Sequence, residues 1–76
     1  MDPQVTFELL LDAYAAADWP EAWERAEDLL GWLAQGGFPP QAWPARAMDA
    51  QFNRAVVTQV CRLALARGAE EVCDAP

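Results

Sequence analysis

The residues with the plainest capacity for chemistry are three carboxylates, Glu24, Glu27 and Asp28, spaced to share one helical face, and two thiols, Cys61 and Cys73. Carboxylates three and four residues apart can hold a divalent cation loosely or exchange a proton. Thiols can bridge or ligate zinc. Neither set is sufficient here. The carboxylates match no calcium-loop pattern, and no pair of acids is framed by an apolar pocket that would separate an acid from a base. The chain has no histidine, which removes Ser-His and Cys-His nucleophile pairs and the mixed histidine and carboxylate iron sites of helical bundles. Two cysteines alone are too few for zinc, and no glycine loop is built to cradle phosphate. The sequence therefore predicts no catalytic residue, no cofactor and no metal site, and reads Glu24, Glu27 and Asp28 as a solvated acidic face. In a reducing cytoplasm both thiols stay free, with Cys61 a small buried hydrophobe; the alternative is a bridge from Cys61 to Cys73 stapling the tail.

Charge narrows the partner class. The net charge of the 76 residues is -7, all of it in residues 1–44, while residues 45–76 are neutral. Phosphate backbones require neutralising cations, so direct nucleic-acid binding is not expected. A basic protein surface, or mimicry of nucleic acid, fits the sign better. No apolar run reaches the roughly 18 residues of a membrane span, and "MDPQ" lacks the features of a signal peptide. The expected place is the cytoplasm, with no membrane contact. A chain this short buries only about 60 to 65% of its unfolded surface, so its core is marginal and a second copy or a partner would help it.

Three helices are expected to position these groups. Asp2 and Pro3 form an N-cap with proline at the first helical position, opening a helix over 3–17 whose inner positions are Phe7, Leu10, Tyr14 and Ala17. "DWPE" announces a second helix over 19–35, with Asp18 and Glu21 as a capping box and Ala22, Ala26, Leu29 and Leu33 inward. Gly36 and Gly37 end it. After a loop over 36–43, a long third helix is expected over 44–67, closed by Gly68 and followed by a tail over 68–76. It carries two apolar lines: Met48, Phe52, Val56, Val60 and Leu63, and beside them Val57, Cys61 and Leu65. So wide an apolar arc exceeds what one hairpin covers. The loop, or another chain, must cover the rest.

"FELLLDAYAAADWPEAWERAEDLL", residues 7–30, resembles one tetratricopeptide-type helical hairpin through Phe7, Leu10 and Tyr14 and the turn residues Asp18, Trp19, Pro20, Glu21 and Ala22. It departs from that family at Leu11, where a glycine is preferred, in a turn one residue short, and in having no second copy. The resemblance covers about a third of the chain. It implies a packing style and protein binding, but no peptide groove, since solenoid repeats need neighbours to build one.

The aromatics complete the reading. Trp32 projects from the polar side of the second helix, and Phe38 and Trp43 flank prolines in "GGFPPQAWP". Either Phe38, Pro39, Pro40 and Trp43 fold back to cap the core, or Trp32 and Trp43 help form a patch for a partner. The expectation is an all-α three-helix domain, a hairpin with a long helix across it, acting as a non-enzymatic protein-interaction module and pairing with a partner or with itself as a homodimer. Its partner-binding residues would be Trp32, Trp43, Phe38, Val57, Cys61 and Leu65. The alternative function is a small acidic inhibitor that occupies a basic surface.

Overall fold

The computed structural model describes the backbone of residues 1–73 and the side chains of residues 1–70. Those residues form an all-α fold of three helices, α1 (Pro3–Ala15), α2 (Trp19–Ala34) and α3 (Ala50–Cys73). Helix α1 starts where the Asp2 carboxylate accepts from the backbone N-H of Gln4 at 3.0 Å and of Val5 at 3.4 Å. Its end and the end of α2 are built alike. In each, a backbone N-H reaches five residues back, Asp18 to Ala13 and Gly37 to Trp32, around a residue of positive φ. That residue is Gly36 (φ 83) after α2 but Ala17 (φ 58) after α1, so α1 stops two residues short of the expected 17 at a strained alanine. Only half of the capping box forms. Asp18 accepts from the Glu21 N-H at 3.5 Å, whereas the Glu21 carboxylate turns away to the Arg25 Nε at 2.8 Å.

Helix α2 is the centre of the molecule. Its buried positions are the expected Ala22, Ala26, Leu29 and Leu33, which meet Phe7, Leu10 and Ala13 of α1 and Val57, Cys61 and Ala64 of α3 in one core. Helices α1 and α3 both pack on α2 and touch each other only marginally. At one end of that seam the Arg67 guanidinium lies 4.8 Å over the Trp19 ring and its Nη1 donates to the Tyr14 hydroxyl at 3.4 Å. Trp19 in turn stands edge-on to Tyr14, with ring centroids 5.1 Å apart.

Helix α3 differs from expectation in three ways. It begins at Ala50 rather than 44, because Asp49 supplies the cap: its carboxylate accepts from the Phe52 N-H at 2.7 Å and its carbonyl from the Asn53 N-H at 3.0 Å. It passes through Gly68 and continues to Cys73, so residues 68–73 are helix rather than tail; residues 74–76 lie outside those described. Gly68 is a notch, not a stop. A Cβ there would stand 2.8 Å from the Trp23 ring, and the missing side chain is what lets α3 approach α2. Finally, α3 runs back antiparallel along α2 instead of across it, with Arg54 at the α2 C-terminus and Gly68 beside Trp23 near its start.

Candidate interaction surface

The irregular segment between α2 and α3 is held by side chains that bond its backbone. Trp32 donates from its indole nitrogen to the Phe38 carbonyl at 2.8 Å. Arg54 donates from Nη1 to the Leu33 carbonyl and from Nη2 to the Gly37 carbonyl, each at 3.1 Å, so it occupies the free acceptors at the positive-charge-seeking end of α2. Gln4 and Gln41 pair in both directions: the Gln41 N-H donates to the Gln4 side chain at 2.8 Å, and the Gln4 side chain returns a bond to the Gln41 carbonyl at 3.3 Å. Asn53, which is buried, accepts from the Ala42 N-H at 3.0 Å and donates to the Met48 carbonyl at 3.1 Å. Together these bonds let a segment without regular structure hold one shape.

That shape buries the prolines and turns the large rings outward. Pro39 and Pro40 are buried and Ala42 packs on the core, whereas Phe38 is 72% exposed and Trp43 53% exposed. Of the four residues expected to fold back, the two prolines are buried and the two rings are not. Trp43 joins Ala45, Arg46, Met48 and Phe52 around a shallow groove of about 460 Å³. From its edge an apolar line continues along the outer side of α3 through Val56 to Leu63, which is 50% exposed. Phe52, Val56, Gln59, Leu63 and Ala66 recur at alternating steps of four and three, the spacing of a helix seam that another helix can cover.

Several expected binding residues are placed elsewhere. Val57 and Cys61 are both 0% exposed and form the core, and Leu65 is half-buried and packed against it. The two apolar lines of α3 are thus interchanged: the line expected outward faces α2, and the outer line is Phe52, Val56 and Leu63. The inward line is selected by Asn53, Val57, Cys61, Ala64 and Gly68, small or hydrogen-bonded residues that allow close packing. Trp32 is no free patch either. It packs on the core, bonds Phe38, and fills the space where a Gly37 Cβ would sit. Only Phe38 and Trp43 of the six stand exposed. Arg46, Met48, Phe52 and Leu63 were not among the expected binding residues; the signals for them were Asp49 as an N-cap and Asn53 as a polar residue in register with Val57.

Glu24, Glu27 and Asp28 are exposed on α2, and the last two border a shallow depression with Met1, Gly31, Trp32 and Gln35. Among the described residues no three histidine, cysteine or acidic side chains are grouped to hold a metal ion. Burial pushes the Cys61 thiol up from 9.0 to about 11, which makes it a poor nucleophile at neutral pH. The Cys73 side chain, and with it the bridge to Cys61, lies outside the described residues. Among the described residues no helix is long and apolar enough to cross a membrane. Comparisons with protein-family models, with curated proteins and with solved structures returned no match.

Proposed function

We propose that this chain is a non-enzymatic protein-interaction module that docks a partner on the surface running from Trp43 through Phe52 to Leu63. One observation carries the reading: the exposed rings of Phe38 and Trp43 belong to a loop whose backbone is already bonded to Trp32, Arg54, Gln4 and Asn53, beside the partly exposed apolar line of α3. A surface ordered before binding loses less entropy on association, and tryptophan is favoured at interface hot spots. The likeness of residues 7–30 to a tetratricopeptide-type hairpin adds weight to a scaffold role. The proposed place of action is the cytoplasm. The test compares the associations of the wild-type chain, with itself and with other proteins, against those of Trp43→Ala, Phe52→Ala and Leu63→Ala. Each variant should bind at least tenfold more weakly while retaining its helical spectrum; three variants that bind like the wild type would refute the reading.

A second reading, an acidic inhibitor of a basic protein surface, is favoured by the net -7 confined to residues 1–44 and by the exposure of Glu24, Glu27 and Asp28. Its binding would weaken steeply with salt, whereas docking on the Trp43 to Leu63 surface would not. A salt-insensitive complex that needs Trp43 decides for the first.

A further inference from the structure

Resting on the docking surface just described, we propose that its occupant is a second copy of this chain, seated head to tail with the outer line of α3 against the outer line of α1. Helix α1 carries an unpartnered line of its own. Val5 and Leu9, one turn apart and about 6 Å along the axis by the helical rise, are 50% and 39% exposed, and Met1 just ahead of the helix is 61% exposed. Phe52 to Leu63 on α3 spans about 16 Å by the same rise. Because α2 covers α1 and α3 from within and they scarcely touch each other, both lines are left at the outside of the helical layer.

Charge selects the pairing. The α1 line is flanked by exposed Glu8 and Asp12, and the α3 surface by exposed Arg62 and Arg46. None of these four side chains makes a hydrogen bond or salt bridge among the described residues. Pairing α3 with α3 fails on sign. With Val56 and Leu63 at the seam, exposed Glu70 falls on the same line four residues after Ala66, so a parallel pair opposes Glu70 to Glu70 and an antiparallel pair centred near Leu63 opposes Arg62 to Arg62, while Arg67 is engaged on Trp19 and Tyr14. Pairing α1 with α1 brings Glu8 and Asp12 together. Only α3 against α1 places an apolar line on an apolar line with opposite charges beside both. Such a contact uses different surfaces on the two copies, so it either closes as a ring or reciprocal pair or grows with concentration.

The experiment is sedimentation equilibrium at low salt on four samples: wild type, Arg62→Glu, the double variant Glu8→Arg with Asp12→Arg, and an equimolar mixture of the two variants. All three positions are exposed, and thermal melts check that each variant stays folded. The wild type should exceed its 8.4 kDa chain mass, and each variant alone should associate at least about fivefold more weakly, as expected for reversing exposed ion pairs. The mixture should regain wild-type association, since each variant's altered face then meets a complementary one. A wild type that stays monomeric at millimolar concentration overturns the proposal, as does a mixture no tighter than its components. A monomer that still loses another protein's binding on Trp43→Ala overturns the self-pairing alone and leaves the docking surface standing.

Discussion

Replacing Gly68 by alanine isolates the contact that sets the distance between α2 and α3. In an unencumbered helix interior the change should stabilise by about 1 kcal/mol, the difference in helix propensity. At Gly68 the new Cβ would lie 2.8 Å from the Trp23 ring, whose own Cβ is 3.7 Å away and whose root is fixed on α2. Relieving that overlap by shifting a ring or a helix costs about 1 to 3 kcal/mol. Taking about 2 for the overlap, the net effect is about 1 kcal/mol of destabilisation, a fall in Tm of about 4 to 8 °C for a chain of this size. The sign is the informative quantity, and a cycle with Trp23→Ala reads it. With the ring removed, Gly68→Ala should stabilise by about 1 kcal/mol, giving a coupling of about 2. Gly31, which has no atom within 4 Å of its ideal Cβ, serves as the control: Gly31→Ala should stabilise in either background. Thermal and urea melts of the six proteins suffice. Stabilisation by Gly68→Ala in both backgrounds would refute the notch, and with it the close approach of α3 to Trp23.

The similarly built ends of α1 and α2 give a reciprocal pair: Ala17→Gly should raise stability and Gly36→Ala lower it, each by about 1 kcal/mol, in urea unfolding. Asn53→Ala should cost about 1 to 3 kcal/mol, because the Ala42 N-H and the Met48 carbonyl both lose a partner in a part-buried place; amide exchange at Ala42 should speed up before global unfolding does. For Cys61 burial lifts the folded pKa from the ordinary 9.0 to about 11, so the unfolded chain binds fewer protons in that window. Its contribution is full below pH 9 and is lost as pH rises towards 11, and Cys61→Ala should flatten that part of the stability profile.

Much of the fold was legible because local chemistry and periodicity agreed. Asp2 with Pro3, Asp18 ahead of Glu21, and Gly36 each mark a helix end that needs no distant contact to form. The Ala22, Ala26, Leu29 and Leu33 face is unambiguous because everything opposite it on α2 is charged, small or amide-bearing. Helix α3 lacked such agreement. Glycine reads equally as a C-cap or as a place for another helix, and only the position of Trp23, some 45 residues earlier in the chain, decides between them. Pro44 likewise reads as a helix start until Asp49 is seen to take the Phe52 N-H.

The candidate surface was legible in kind but not in place, and the reason lies in residue size. Ranked by hydrophobicity, Phe52, Val56, Val60 and Leu63 make the more apolar line on α3, so burying it appeals to the transfer term alone. The helix instead turns its smaller line inward, because Val57, Cys61, Ala64 and Gly68 let two backbones approach while Asn53 satisfies the loop. Of the larger line Val60 still packs against the core, whereas Phe52 and Val56 are only half-buried and Leu63 is exposed. That inversion joins the fold to the proposed function: close packing on α2 leaves Leu63 exposed and Phe52 and Val56 half-buried, and a second helix laid along them would recover the burial that the single chain forgoes.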